Sequence, residues 1–440
     1  MDLLLAFAVF LAAMLAALIK DFSMIFALLA GLAAFIAVGL KRGFSLKELA
    51  HMGIGGAKDS LIVIEVMAII GFVTAVWRVS GTITIFVYYG IKIITPSLFL
   101  LIAFLLACIL SYAIGTSFGV AGTVGVIFMT LARSGGVDPI LTAGVLMSGV
   151  YFGDRGSPAS SNANMIAGIT GTEIFTNVKL AMKTGLTPFI ACCIIYTVMS
   201  VMNPIEAIDT QLVNTFETEF NLSLWAFVPA VLMLVLPFFK VSVLKSMGLS
   251  IASGILVAWL VQGVPLMEVL KICVMGYEAK SGGLGEILNG GGLMSMLEIV
   301  VVLIISCSYS GIFDGTKMLE SLQDSLSKAC TKAGRFTVMV VLSAASAMVF
   351  CNQTIATLMC NDLLAKSYLD TGGTKQELAI DMENSVALIA CIVPWCIGCS
   401  VPLSFFGVDS RAMLFAFYMY GVPLYYLFRK KKFFPEAAQQ

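Results

Sequence analysis

Long apolar runs alternate with short polar segments along the chain, at about 3–19, 22–40, 60–77, 80–95, 97–114, 117–132, 138–153, 184–202, 224–239, 242–262, 293–311, 336–351, 384–401 and 403–428. Polar segments separate them at 41–59, 203–223, 263–291, 312–335 and 362–383. A helix that crosses a bilayer needs about 20 apolar residues, so the pattern predicts an all-α polytopic membrane protein of about eleven or twelve spans. Met1–Ile19 has no basic stretch before it, and Lys20-Asp21 leads directly into Phe22–Leu40. Both runs are expected to be retained as a helical hairpin, not cleaved as a signal peptide.

Two regions interrupt this pattern. Ser111–Asn164 contains S-Y-A-I-G-T-S-F-G-V-A-G-T-V-G and then G-V-Y-F-G-D-R-G-S-P-A-S-S-N-A-N, and Val349–Ser400 contains F-C-N-Q-T-I-A-T and then D-M-E-N-S-V-A-L-I-A-C-I-V-P-W-C-I-G-C-S. Gly, Pro and small polar residues at membrane depth free backbone groups that lipid cannot satisfy. Such backbone survives only where protein buries it or where it lines a cavity. A pair of interrupted segments in the two halves of a chain points to a transporter's binding site. Thr116 precedes Pro158 by 42 residues (158 − 116), and Asn352 precedes Pro394 by the same number (394 − 352). The expectation is one transporter domain over 1–440. An internal repeat would relate 60–202 to 293–428, each half with a broken or re-entrant helix.

Composition agrees with a bilayer as solvent. Of the 440 residues, 59% are hydrophobic and 12% charged, too few charges to cover a soluble protein of this size. Lys+Arg and Asp+Glu both number 26, so no basic face offers itself to nucleic acid. Lys41, Arg42, Lys47 and Lys58, then Lys317, Lys328, Lys332 and Arg335, then Arg429–Lys432 mark three segments as cytoplasmic. Glu206, Asp209, Glu217 and Glu219 mark 203–223 as external, which puts both termini inside. The C-terminal basic run reads as a headgroup anchor, and Trp77-Arg78 as an interfacial anchor. Eleven Cys lie scattered in apolar segments and read as small apolar residues, Cys396-x-x-Cys399 included. His51 is the single His, which removes a His-based metal site. No phosphate-binding loop, K⁺-filter sequence or hydrolase motif occurs, so no cofactor and no enzyme activity are expected and an ion gradient would have to drive transport.

Ionisable residues within membrane segments are site candidates. Asp154 and Arg155 lie in a Gly-rich break, followed by Ser157, Ser160, Ser161, Asn162 and Asn164. One carboxylate with hydroxyl, amide and carbonyl oxygens suits a hard cation such as Na⁺. The same carboxylate can take a proton, and competition of the two for one site is the minimal exchange mechanism. Asp154 and Arg155 could instead neutralise each other as a structural pair. Glu383, Asn384 and Ser385 form a second cluster, which could also serve as a helix cap. Asn352, Gln353 and Thr354, with Thr116 and Ser117 in the first half, complete the set. Glu65 and Glu298 are candidate proton carriers.

Several of these segments resemble the NhaC-type sodium/proton antiporters of bacteria, within the wider ion-transporter superfamily. W-R-V-S-G-T-I-T-I-F-V-Y-Y-G-I-K-I-I-T-P (77–96) resembles its W-x-x-S-G-T…Y-Y-G-L…P stretch, and 111–125 its I-G-T-S-x-G-T-x-G-T-x-G segment. G-V-Y-F-G-D-R-G-S-P-A-S-S-N-A-N (149–164) resembles G-x-Y-F-G-D-K-x-S-P-x-S-D-T-T-N. N-G-G-G-L-M-S-M-L (289–297) and E-N-S…V-P-W-C-I-G-C (383–399) resemble two later blocks. The resemblance runs from about Leu61 to Val408 and implies secondary active transport in a bacterial inner membrane. It puts Asp154, Ser157, Pro158, Ser160 and Asn164 at matched site positions. Ser161 and Asn384 stand where the family has acids, and Arg155 where it has Lys. Relatives exchange organic acids or carry amino acids. Two functions therefore stay open: Na⁺/H⁺ antiport, and ion-coupled transport of a small carboxylate or amino acid paired to Arg155. Broken-helix transporters of the wider superfamily are commonly homodimers.

Overall fold

A computed structural model describes every residue except 1, 21, 60, 94, 206–209, 240, 280–284, 286–287, 319–322 and 435–440. Glu206 and Asp209 of the expected external segment lie outside the described residues. Within them the regular secondary structure is helical, apart from one isolated antiparallel bridge, Tyr277–Gly290. Five helices are long and apolar enough to cross a membrane, and a sixth span results if the bent pair Ile64–Val79 and Thr82–Gly90, at 64°, is one crossing. Five shorter apolar helices accompany them. The chain is a multi-pass membrane protein.

Helices α1 (Asp2–Lys20) and α2 (Met24–Lys41) pack together as the N-terminal hairpin. Phe10 and Phe35 carry them onto Tyr309 and Phe313 of the long apolar helix Leu297–Thr316. The polar segment 41–59 is not a plain loop, because Leu46–Asp59 forms α3. Gly53 and Gly56 let α3 lie directly on Leu297–Thr316. A Cβ on Gly56 would stand 2.2 Å from the Cys307 carbonyl oxygen and 2.7 Å from the Gly311 nitrogen. Small residues allow such close approach where no hydrophobic driving force separates helix from lipid.

The chain continues through α4 (Leu61–Val79), α5 (Thr82–Ile93), α6 (Phe99–Ile114), α7 (Ser117–Ser134), α8 (Pro139–Gly156), α9 (Ser161–Thr170) and α10 (Ile174–Met202). Beyond the connecting helices at 210–275 come α11 (Leu297–Thr316), α12 (Arg335–Phe350), α13 (Gln353–Asp370), α14 (Lys375–Glu383), α15 (Val386–Ile389), α16 (Ile397–Phe406) and α17 (Phe417–Phe433). α6, α7 and α9 begin and end 236 residues before α12, α13 and α16, taking the breaks at Gly115 and Cys351 as the reference (351 − 115).

Backbone geometry recurs at the same interval. Gly115 (φ 74, ψ 23) and Cys351 (φ 54, ψ 14) are both left-handed, and Thr116 (φ −141, ψ 123) and Asn352 (φ −139, ψ 125) both cap the helix that follows. Gly171 (φ 65, ψ 40) and Gly407 (φ 63, ψ 42) terminate α9 and α16 alike. Contacts between the halves are exchanged in the same way. Gly56 meets Cys307, while Gly292 donates its N–H to the Gly71 carbonyl at 2.9 Å; 56 and 292, like 71 and 307, are 236 apart. Reciprocal contacts of this kind are the mark of a two-fold relation.

Two expected anchors are interior. Trp77 donates its indole N–H to Ser250 at 2.9 Å, and Arg78 is 8% exposed. Lys430 does not reach for lipid headgroups. It is drawn inward by Asp381 and by Glu377 (2.6 Å), the latter paired in turn with Arg335 at 3.0 Å.

Candidate functional site

The central breaks meet around Asp154. It lies in the last turn of α8, which Asp138 and Pro139 start and Ser157 ends. Its carboxylate is buried and accepts a hydrogen bond from the amide of Gln353 at 3.0 Å. Gln353 is the first residue of α13, so that helix presents its positive N-terminal end beside the carboxylate. The same amide donates to the Ala387 carbonyl at 2.9 Å, which ties the second break to the site. Ser160 caps α9 and donates to the Asp154 carbonyl at 2.6 Å.

Arg155 turns away from Asp154, because consecutive helix positions face different directions. Its guanidinium is fully buried and donates to Asn384 (2.9 and 3.2 Å), Thr184 (2.9 Å), Tyr418 (2.6 Å) and the Ala181 carbonyl. All are neutral acceptors. Glu383, the last residue of α14, lies within the electrostatic reach of both Arg155 and Asp154. Among the described residues its Oε2 has no hydrogen-bond partner, and neither do Asn384 Nδ2 or both polar atoms of Asn162. Asn162 is in the first turn of α9, which packs on α13 and α14. Unpartnered buried polar atoms carry a desolvation penalty of about 1–3 kcal/mol each.

The expected residues divide into groups. Asp154, Arg155, Asn162, Gln353, Glu383 and Asn384 are buried or half-buried around the breaks. Others hold the broken backbone. Thr116 and Asn352 cap helices, Ser117 is buried beside Tyr151, Ser157 donates to the Tyr112 carbonyl, and Ser385 donates to the Asp381 carbonyl. Asn164 is exposed and stitches the break by donating to the Pro158 and Ser160 carbonyls at 2.9 and 2.7 Å. Ser161 and Thr354 are exposed and are not brought to the carboxylates. Glu65 and Glu298 also lie on exposed faces, Glu298 accepting from Ser23 at 3.2 Å. Thr184, Ala181 and Tyr418, which hold Arg155, went unseen in the sequence because nothing ionisable marks them.

The family model for the Na⁺/H⁺ antiporter family matches residues 2–163 and 149–428. The chain belongs to the Na⁺/H⁺ antiporter family. Similar proteins include the Na⁺/H⁺ antiporter NhaC of Alkalihalophilus pseudofirmus, 27% identical over 86% of this chain and 83% of that protein. The malate-2H⁺/Na⁺-lactate antiporter of Bacillus subtilis is 26% identical over 86% of this chain and 84% of its own. The arginine/ornithine antiporter ArcD of Halobacterium salinarum is 26% identical over 83% and 78%. In this antiporter the two carboxylates at the breaks come from opposite halves, Asp154 from the first and Glu383 from the second. The intervening cation, Arg155, is fixed by residues of both.

Proposed function

We propose that this secondary active Na⁺/H⁺ antiporter exchanges its ions at Asp154, with Glu383 and Asn162 completing the oxygen set. Na⁺ binds the deprotonated carboxylate, and a proton displaces it. Gln353 orients Asp154. The Na⁺-loaded and the protonated carboxylate carry the same net charge, so either can cross between the two faces, and Arg155 offers a fixed positive charge to offset Glu383. The observation that supports this reading is that two buried carboxylates from different halves, Asp154 and Glu383, lie within electrostatic reach of each other and of Arg155. Purified protein in liposomes with an imposed Na⁺ gradient tests it. Proton flux should follow Na⁺ in the wild type, fall to background in Asp154→Asn and weaken in Glu383→Gln. Na⁺-independent proton flux in the wild type would sink the proposal.

The halves 60–202 and 293–428 are read as one duplicated unit around this site. The basic segments support a bacterial inner-membrane location with both termini cytoplasmic, testable by labelling single cysteines at 42 and 432. Homodimerisation follows from the resemblance to other broken-helix transporters and is tested by cross-linking in native membranes. Transport of a small carboxylate or amino acid through Arg155 is disfavoured by its neutral partners, which a substrate carboxylate would have to displace.

A further inference from the structure

A second charged site lies away from the breaks. Arg78 closes α4, and Arg133 is in the last turn of α7. Both line a cavity of about 180 Å³ with Thr74, Asn289, Ser295 and Ser404. Arg78 is 8% exposed; its Nη1 donates to the Thr74 carbonyl at 2.7 Å, and its Nε has no partner. Arg133 donates to the Phe406 carbonyl and, at 3.2 Å, to the Gly407 carbonyl at the end of α16. Among the described residues neither arginine makes an ion pair, and the charge felt by Arg78 is that of Arg133, of the same sign. Glycines shape the wall: a Cβ on Gly290 would stand 4.0 Å from Arg78 Nη2, and one on Gly407 2.9 Å from Arg133 Nη2.

Among the described residues the two guanidinium groups share this cavity with no carboxylate in its lining, which leaves their charge uncompensated there. We propose that this cavity binds a small carboxylate anion of two to four carbons, bridged by Arg78 and Arg133. The volume, about 180 Å³, has room for a small organic anion. An arginine edge of parallel N–H donors matches the two oxygens of a carboxylate. The hydroxyls of Thr74, Ser295 and Ser404 donate to the Gly71, Gly292 and Val401 carbonyls, so they give no further donors to a compact polyanion such as phosphate. α16 runs from the central breaks, where Tyr151 donates to the Gly398 carbonyl, to this cavity. α16 has ten residues and, at 1.5 Å each, is about 15 Å long. The anion site is thus distinct from the ion site at Asp154, and either can fail without the other.

Thermal unfolding and titration calorimetry of the full-length protein in detergent, at constant ionic strength, test the proposal. Acetate, lactate and malate are the probes, with chloride and phosphate as controls. The expected result is stabilisation by at least one carboxylate, affinity at least tenfold weaker in Arg78→Gln and in Arg133→Gln, and unchanged affinity in Asp154→Asn. Arg78→Lys and Asn289→Ala, which keep the local charge, should weaken binding by a smaller factor and decide the matter if Arg78→Gln does not fold. No stabilisation by any carboxylate, equal stabilisation by chloride or phosphate, or loss of binding in Asp154→Asn would each overturn it. Na⁺-driven proton flux, measured in parallel, reports on the central site alone.

Discussion

The two halves share a backbone and divide the chemistry. Asp154 and Arg155 in the first half stand at the positions of Ala390 and Cys391 in the second, 236 residues on, and Glu383 and Asn384 at those of Met147 and Ser148. A larger contrast lies at one end of the second half, where Arg335, Glu377 and Asp381 form a buried lattice with Lys430. Tyr368 and Tyr426 donate to Asp381 at 2.7 and 2.9 Å. The equivalents of Arg335, Glu377, Asp381 and Tyr368 are Phe99, Leu141, Val145 and Ala132, all buried and apolar. The same helices therefore pack with or without charge. What is common to the halves builds the breaks, and what differs loads them with function.

The comparison breaks most severely at the central site. Asp154→Asn keeps the shape and the Gln353 contact but removes the charge at which exchange is proposed. Na⁺-coupled proton flux in liposomes should drop at least 100-fold, with the unfolding temperature nearly unchanged.

The charged lattice gives the next largest effect. Glu377→Gln leaves the half-buried Arg335 without its carboxylate and should destabilise by up to about 3–5 kcal/mol, read from unfolding in detergent, and Asp381→Asn, which leaves Lys430 paired with Glu377, by less. Installing the first half's residues together (Arg335→Phe, Glu377→Leu, Asp381→Val, with Lys430→Met) should be neutral or stabilising by about 1–4 kcal/mol. A combined variant less stable than the single ones would show that the lattice holds the fold.

The left-handed positions sharpen the backbone side of the comparison. Gly115→Ala puts a Cβ 2.3 Å from the Ala159 carbonyl carbon and should sharply reduce folded protein. Its counterpart Cys351→Gly relieves a left-handed non-glycine conformation that is unfavourable by about 1–2 kcal/mol, offset in part by the buried side chain it removes. The expected shift in unfolding temperature is small.

Much of this was legible in the sequence. The apolar runs specify an all-helical membrane protein, and the Gly- and Pro-rich interruptions locate both breaks. The spacing of 42 between Thr116 and Pro158, repeated from Asn352 to Pro394, is a fragment of the 236-residue correspondence. The rest of that correspondence is carried by dihedral angles at unlike residues, Gly115 and Cys351 or Thr116 and Asn352, so residue identity conceals it. Arg155 and its partner Asn384 were visible but Tyr418 and Thr184 were not, since they sit in apolar helices where a hydroxyl looks like filling. Lys430 and Arg78 were read as surface anchors because a basic residue at a span end usually meets headgroups. Only the tertiary structure shows carboxylates receiving the first and a cavity receiving the second. Segment 41–59 looked like a loop because its charges mask the Gly-x-x-Gly spacing of Gly53 and Gly56.

The smallest effect is expected at a pair of exposed caps that the halves share. Glu173 begins α10 and Asp409 begins the short 3₁₀ turn Ser410–Phe415, again 236 residues apart. The Thr176 hydroxyl, with the N–H groups of Phe175 and Thr176, holds the Glu173 carboxyl below its usual range. The Arg411 guanidinium, with the Arg411 N–H, does the same for Asp409. Both folded values lie below the unfolded ones, so each cap stabilises the ionised form. That contribution is fully present above about pH 5 and is lost as pH falls through the depressed values, below about pH 4. Glu173→Gln and Asp409→Asn should therefore lower the unfolding temperature slightly at pH 7 and by less at pH 3. The pH 7 effect should be similar in the two variants despite their different sequences, because the shared element is the extended backbone that presents the carboxylate to the N–H two residues on. If the effect persists undiminished at pH 3, the ionised carboxylate is not what caps these turns, and the likeness of the halves at this position is one of backbone alone.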